Sequence, residues 1–231
     1  MFSRARYAAR FMKMAGAGNS LRALAWHARE WQDEHVYGIH SGCYVDAGEL
    51  SSDARENEAY EATGYAALQA IFDHIALREG DSANVLLDQG CGMGRVIIVV
   101  ASHDYRRVIG FDISASLVEQ ARRNIDSARP HLYCDDVQAV VASACDYEVP
   151  DDVTTVFCFN PFNGSVMARF LAQVRASFAR QPRRLRLVFV NPPDTVAELR
   201  AMRPVIEFDC FDPRMGLHHG FRQRVRIFEM T

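Results

Sequence analysis

The chain has 231 residues, of which 49% are hydrophobic and 24% are charged. This composition is typical of a globular protein large enough to bury a full core, and it excludes a disordered tail or a small disulfide-stabilised scaffold. The 26 basic and 29 acidic side chains give a net charge of −3, which argues against a broad nucleic-acid-binding surface because such surfaces neutralise many phosphates. We therefore expect one catalytic or binding core.

The first 29 residues carry six basic side chains and no acidic one, which leaves two interpretations open. They form either an organelle transit peptide or a helix laid over an acidic body or an anionic ligand. Trp26 and Trp31 stand at roughly helical spacing and favour a helix that packs on the protein. No apolar stretch reaches the roughly 20 residues of a membrane-spanning helix. We predict a soluble cytoplasmic protein with no membrane partner, and a homo-oligomer stays open.

The six cysteines are scattered without a Cys-x-x-Cys pair, which indicates reduced thiols rather than a disulfide framework or a zinc site. His218 and His219 lie in a glycine-flanked loop, but sequence gives them no convergent ligands. We therefore predict no metal.

Apolar periodicity then predicts the elements in chain order. Residues 60–78 repeat apolar side chains every three or four positions, as an amphipathic helix does, before Gly80. Strands then alternate with helices, which predicts a parallel sheet. The predicted strands are 85–88, 108–113, 137–142, 154–159 and 185–190, and the helices begin near 94 and 116 and run through 166–178. Two late strands, 205–211 and 224–228, predict an antiparallel hairpin at one edge, since no long crossover separates them. Residues 1–59 are predicted to form an N-terminal cap and residues 60–231 the core.

A glycine-rich turn follows the first of the parallel strands. It places Asp88 two residues before Gly90, with Gly92 and Gly94 continuing the motif; glycines let the chain turn sharply and let a ligand approach the backbone. The spacing differs from the G-x-G-x-x-G of dinucleotide sites, and a carboxylate at position 88 would repel a pyrophosphate but suit an ammonium group. Asp112 ends the next strand, where a ribose would be held. The pattern favours an aminoacyl nucleoside.

These residues resemble two motifs of the class I methyltransferases that use S-adenosylmethionine. Residues 88–94 match the first motif, and residues 110–114 resemble the strand end whose acid, here Asp112, binds the ribose hydroxyls. A narrower resemblance is to a bacterial group that carries a Tyr-Gly segment, here beginning at Tyr37, and a Phe-Asn-Pro-Phe run, here 159–162. In that group an Asp near the adenine follows the third strand. Here Ser143 occupies its place, with Asp146 as a nearby substitute.

The resemblance implies an α/β, Rossmann-like fold with a seven-stranded, mostly parallel sheet, an antiparallel C-terminal hairpin and an N-terminal helical cap. The run Asn160-Pro161-Phe162 is similar to the Asn-Pro-Pro-aromatic motif of amine methyltransferases, in which an amide and a backbone carbonyl accept hydrogen bonds from the attacking amine. Asn160 is therefore expected in the active site, at the cofactor and the acceptor. Tyr37 and His40 are candidates for lining the pocket, or for a general base since histidine titrates near neutral pH.

The function implied is S-adenosylmethionine-dependent methyl transfer to nitrogen or oxygen of a small molecule. The predicted cofactor-binding residues are Asp88, Gly90, Gly92, Gly94, Asp112, Ser143 and Asn160. Two alternatives stay open. One is a protein-amine methyltransferase of the lysine type, suggested by residues 159–162. The other is a binding module without turnover, suggested by Ser143 in place of the expected acid.

Overall fold

The computed structural model describes residues 28–45, 59–75, 83–162, 164–211 and 222–231. The strands of this part are β1 (Tyr44–Val45), β2 (Tyr60–Glu61), β3 (Val85–Gln89), β4 (Arg107–Asp112), β5 (Val137–Val141), β6 (Thr155–Phe159), β7 (Leu185–Val190), β8 (Ile206–Phe211) and β9 (Arg222–Met230). Its helices are α1 (28–37), α2 (Tyr65–Ile75), α3 (Arg95–Ala101), α4 (Ala115–Ala128), α5 (Gly164–Arg180) and α6 (Ala197–Ala201). None of these helices is long and apolar enough to cross a membrane.

A seven-stranded sheet with the order β5-β4-β3-β6-β7-β9-β8 forms the centre. The first five of these strands run parallel, and β9 pairs antiparallel with both β7 and β8. The mostly parallel sheet and its C-terminal hairpin are therefore confirmed. The chain leaves β3 toward β4 on one side and returns to β6 on the other, so a crevice opens at the carboxyl ends of these central strands.

Two apolar layers cover the sheet, one on each face. The central strand β3 is buried along its whole length, as expected for a parallel strand with both faces covered. On one face lie residues of α2, α3 and α4, among them Leu68, Ile97 and Val118. On the other face α5 packs through Phe170 and Val174. Each fully buried side chain of this size contributes about 1.5–3 kcal/mol, so the layers hold the strand ends in place.

The region around Tyr60 corrects the sequence-based prediction of a helix over 60–78. Tyr60 lies in β2, which pairs antiparallel with β1, and α2 begins only at Tyr65. The helix begins there because the Glu30 carboxylate accepts the Tyr65 N–H at 2.8 Å, which satisfies one of the donors that a helix start leaves open. Residues 76–78, which would end the predicted helix, lie outside the described residues.

The N-terminal segment also differs from its prediction. Residues 28–37 are helical, but Trp31 is 58% exposed, so this helix does not pack through that indole. Its buried side chains are Glu30 and Glu34, and they contact the core through hydrogen bonds. Trp26, His218 and His219 lie outside the described residues. The short helix α6 was not predicted.

Candidate functional site

The turn between β3 and α3 has the left-handed backbone that its glycines allow. Gly90, Gly92 and Gly94 have φ values of +76°, +52° and +84°, which side chains other than glycine rarely adopt. A Cβ on Gly92 would stand 2.1 Å from Cε2 of Tyr60, whereas one on Gly90 would meet nothing within 4 Å. The turn is therefore packed against Tyr60 on one side and open at Gly90, where a ligand can approach the backbone.

Asp88 is a buried acid without compensation. Its side chain is 2% exposed, and among the described residues neither its Oδ2 nor Oε1 of the neighbouring Gln89 has a hydrogen-bond partner. Burial raises the pKa of Asp88 well above its ordinary value, and the nearby Asp112 raises it further. Two unpaired buried acceptors side by side are costly, so this site favours a ligand that brings a cation or hydrogen-bond donors.

Asp112 is held in a fixed orientation at the end of β4. Its Oδ2 accepts the Gly92 N–H at 3.0 Å, and its Oδ1 accepts the Ser114 N–H at 2.9 Å. Burial raises the pKa of Asp112, and these backbone hydrogen bonds oppose that effect. Because each carboxylate oxygen has two lone pairs, the oriented group can accept further hydrogen bonds, as two vicinal hydroxyls would supply.

Of these groups, Gln89, Gly90 and Asp112 line an open cleft at the carboxyl ends of β3, β4 and β6, whereas Asp88, Gly92 and Gly94 are not among its lining residues. Its walls come from four segments: β2 and its flank, the turn after β3, the start of α4 and the end of β6. The lining residues are Ala59, Tyr60, Glu61, Gln89, Gly90, Asp112, Ile113, Ser114, Leu117, Phe159, Asn160, Pro161 and Phe162. The cleft thus has one end built around acids and a glycine turn, and another end with aromatic walls.

Two asparagines end neighbouring strands beside this cleft. Asn160 follows β6 and Asn191 follows β7; both have positive φ, +42° and +53°, and both precede a proline. Asparagine is one of the few residues that tolerate this backbone. Nδ2 of Asn191 donates to Oδ1 of Asn160 at 2.8 Å, and Oδ1 of Asn191 accepts the Arg224 N–H at 3.0 Å. Sequence analysis did not single out Asn191, although it begins an Asn-Pro-Pro run that matches the amine methyltransferase motif more closely than residues 160–162 do.

Tyr37 and His40 are not among the residues that line the cleft. The Tyr37 hydroxyl lies 3.3 Å from Oγ of Ser102, and its ring stacks on Tyr65. His40 is exposed, and its backbone is held by the Asn124 amide. The predicted pocket and base roles of these two residues therefore have no support from their position.

Ser143 is also absent from the lining of the cleft. It begins a turn after β5, in which its Oγ accepts the Cys145 N–H at 3.2 Å. The substitute acid, Asp146, is exposed and pairs with Arg169 at 2.8 Å. The prediction that Ser143 contacts the cofactor stays a prediction.

Arg95, the first residue of α3, anchors the N-terminal segment through a buried network that sequence analysis missed. It is 2% exposed and forms ion pairs with Glu30 and, at 3.0 Å, with Glu34. Its Nε donates to Oγ of Ser41 at 2.8 Å, and its guanidinium lies 4.4 Å from the centre of the Tyr65 ring. The sequence did contain one indication of this network, because the spacing of Glu30 and Glu34 places both acids on one helix face.

The same network reaches the cleft through Tyr60. Oε1 of Glu34 accepts the N–H groups of Ser41 at 2.7 Å and Gly42 at 2.5 Å. The Ser41 carbonyl in turn accepts the Tyr60 hydroxyl at 2.8 Å, and the Tyr60 ring lies against Gly92. The N-terminal segment thus positions one wall of the cleft and one side of the glycine turn. No group of three or more His, Cys, Asp and Glu side chains among the described residues is arranged to hold a metal ion.

Residues 86–181 match the family model described as a methyltransferase domain. The chain is also similar to the N-demethylindolmycin N-methyltransferase of Streptomyces griseus, with 40% identity over 82 residues, which cover 33% of this chain and 33% of that protein. The similar region thus spans about a third of this curated relative.

Solved structures share the fold at low sequence identity. An RNA methyltransferase from Salinibacter ruber in complex with S-adenosyl-L-homocysteine has a TM-score of 0.53 and 19% identity, covering 73% of this chain and 92% of that one. The geranyl diphosphate C-methyltransferase from Streptomyces coelicolor A3(2) has a TM-score of 0.51 and 14% identity, covering 73% and 76%. The two names point to very different acceptors, so this likeness concerns the fold alone.

Proposed function

We propose that this chain, which contains a methyltransferase domain on the Rossmann-like class I fold, transfers a methyl group from S-adenosylmethionine to nitrogen or oxygen of a small molecule. The class I resemblance drawn from the motifs at 88–94 and 110–114 is confirmed by that domain and fold. The single observation that carries the proposal is the pair of buried, unpartnered oxygens, Oδ2 of Asp88 and Oε1 of Gln89, at a cleft that is lined by Gln89 and by Asp112 in a fixed orientation.

The acidic end of the cleft fits the cofactor. The unpaired oxygens of Asp88 and Gln89 suit the ammonium group of its aminoacyl part. The open backbone at Gly90 allows close approach, and the oriented Asp112 suits the ribose hydroxyls. S-adenosylmethionine, when bound, supplies a methyl group already activated on a sulfonium. The protein then needs to align the nucleophile and exclude water, and dedicated acid-base residues are dispensable.

The aromatic end of the cleft supports a small acceptor. Tyr60, Phe159, Pro161 and Phe162 give the cleft apolar and aromatic lining residues, which is typical of small-molecule sites. The similar N-demethylindolmycin enzyme is named as an N-methyltransferase, which supports transfer to a heteroatom.

Calorimetric titration tests the cofactor half without knowledge of the acceptor. S-adenosylmethionine and S-adenosylhomocysteine should bind the wild-type protein and NAD should not. Asp112→Ala should weaken their binding about 5- to 150-fold, which corresponds to roughly 1–3 kcal/mol for unsatisfied hydroxyls. Binding of NAD alone would overturn the proposal, and unchanged affinity in Asp112→Ala would remove the ribose role.

Methyl transfer itself is tested with tritiated methyl donor and a fractionated cell extract. Label should appear in the small-molecule fraction with the wild-type protein and be lost with Asp112→Ala. Label in a protein band would favour a protein-amine methyltransferase instead. Tight cofactor binding without label in any fraction would favour a binding module without turnover.

A further inference from the structure

The hydrogen bonds around Asn160 fix which end of its amide is available to a ligand. Asn191 and Asn160 form a relay that starts at the Arg224 N–H, a main-chain group that can only donate. Because this N–H donates to Asn191 at 3.0 Å, the atom it meets must be the amide oxygen. Nδ2 of Asn191 is then the end that faces Asn160, at 2.8 Å.

The same reasoning fixes Asn160. Its atom facing Nδ2 of Asn191 must accept a hydrogen bond, so it is the oxygen Oδ1. Nδ2 is the remaining polar atom of the side chain, and among the described residues it has no hydrogen-bond partner. Asn160 lines the cleft. The side chain therefore offers a ligand the unpartnered N–H donors of Nδ2, while Oδ1 already accepts one hydrogen bond and faces Asn191.

Backbone hydrogen bonds also hold the two asparagines, and so the orientation of their side-chain amides, in place. The Asn160 N–H donates to the Val190 carbonyl at 3.1 Å, and the Asn191 N–H donates to the Arg224 carbonyl at 2.7 Å. Asn191 thus contacts Arg224 through both its main chain and its side chain, so its amide cannot rotate without breaking the bond to the Arg224 N–H. A flip of Asn160 alone would place two donors face to face.

We infer that Asn160 acts as a hydrogen-bond donor in the cleft, and that the acceptor molecule presents an oxygen lone pair (of a carbonyl, carboxylate or hydroxyl) to its Nδ2. This inference rests on the proposed function and deepens it. It also reverses the role expected from the sequence, in which the Asn160 amide accepts a hydrogen bond from an attacking amine. Asn191 is a positioning residue, since it acts through Asn160.

The test uses neutral aromatic probes on protein saturated with S-adenosylhomocysteine. Acetophenone only accepts hydrogen bonds, aniline mainly donates them, and toluene does neither. Their dissociation constants are measured by ligand-observed NMR. Wild-type protein should bind acetophenone at least threefold more tightly than aniline or toluene, and Asn160→Asp, which presents only oxygens, should lose or reverse this order. Three results would each overturn the inference. The wild type could bind aniline more tightly than acetophenone, it could bind none of the probes, or Asn160→Asp could keep the wild-type order of affinities.

A variant of Asn191 provides the second arm and keeps the test informative if Asn160→Asp does not fold. Asn191→Asp still accepts the Arg224 N–H but cannot donate to Asn160, so the Asn160 amide should turn and donate Nδ2 to the new carboxylate, leaving Oδ1 toward the ligand. The preference for acetophenone should then be lost or reversed in favour of aniline, while the melting temperature stays close to that of the wild type. A preference that survives in Asn191→Asp would overturn the relay.

The cofactor is the other source of an oxygen lone pair in this cleft, through its carboxylate. Titration of S-adenosylhomocysteine into wild-type and Asn160→Asp protein separates the two sources. Similar affinities are expected if the donor serves the acceptor molecule. If Asn160→Asp binds S-adenosylhomocysteine tenfold more weakly and keeps the wild-type probe preference, Asn160 donates its hydrogen bond to the cofactor and not to the acceptor molecule. That result would overturn the inference. Failure of S-adenosylhomocysteine to bind the wild type would instead refute the proposed function.

Discussion

Glu34 offers a sharp test of whether the N-terminal segment is part of the cofactor site. Glu34→Ala removes the carboxylate that pairs with Arg95 and accepts the N–H groups of Ser41 and Gly42. The Arg95 guanidinium, 2% exposed, then loses one of its two acids. Because Glu30 still pairs with Arg95, the main cost is that of the Ser41 and Gly42 N–H groups left without their acceptor, about 1–3 kcal/mol.

For a chain of this size, that loss corresponds to a melting temperature lower by about 2–12 °C. Affinity for S-adenosylhomocysteine should also fall, because Ser41 holds the Tyr60 hydroxyl and the Tyr60 ring lies against Gly92. Glu34→Gln keeps the shape and one oxygen, so both effects should be smaller. Thermal melting and calorimetric titration of the same preparations measure the two quantities.

Glu119→Ala is the matched control. Glu119 pairs with Arg123 one helical turn away, but both side chains are about two-thirds exposed, and such pairs contribute only about 0.2–0.5 kcal/mol. Its melting temperature and cofactor affinity should match the wild type. If Glu34→Ala behaves like Glu119→Ala in both measurements, the buried network neither stabilises the fold nor positions the cleft, and the reasoning is refuted.

Three further substitutions test the core and the turn. Gly92→Ala should reduce affinity for S-adenosylhomocysteine about tenfold or more, since its Cβ would lie 2.1 Å from the Tyr60 ring at a φ of +52°. An unchanged dissociation constant in calorimetry would contradict this. Asp88→Asn should raise the melting temperature of the ligand-free protein. Because burial raises the folded-state pKa of Asp88, the wild type loses stability as pH rises above about 4, so the gain should be absent at lower pH and grow above it in a pH series. Phe170→Ala should cost about 3–5 kcal/mol in denaturant unfolding, because Phe170 is fully buried; a loss below 1 kcal/mol would contradict its place in the core.

The cofactor half of the site was predictable because its chemistry lies in one short stretch of chain. The turn after β3 needs glycines at fixed spacing, and Asp112 follows at the next strand end, so local sequence specifies both. The strands of the main sheet were predictable for a similar reason, since buried parallel strands are continuous apolar runs between turn signals. The boundaries of β7 match its prediction at both ends.

The rest depends on contacts between distant parts of the chain. Arg95 and Glu30 are 65 positions apart, and Asn191 and Arg224 are 33 apart; no local pattern reports such pairs. Tyr60 shows the same limit, because its apolar spacing with the residues of α2 suggested a longer helix, while pairing with Val45 places it in a strand. Tertiary contacts override local propensity in such places.

The acceptor end of the cleft combines residues from inside and outside the stretch that matches the methyltransferase domain model. Phe159, Pro161 and Phe162 lie within residues 86–181, whereas Tyr60, Asn191 and Arg224, which line the cleft or orient the Asn160 amide, come from before and after it. Under the proposed function, the cofactor contacts the turn after β3 and the end of β4, and the acceptor contacts Tyr60 and the strand end at Asn160. Substitutions at Tyr60 or in the relay from Asn191 to Asn160 should then change the acceptor without changing residues 86–112.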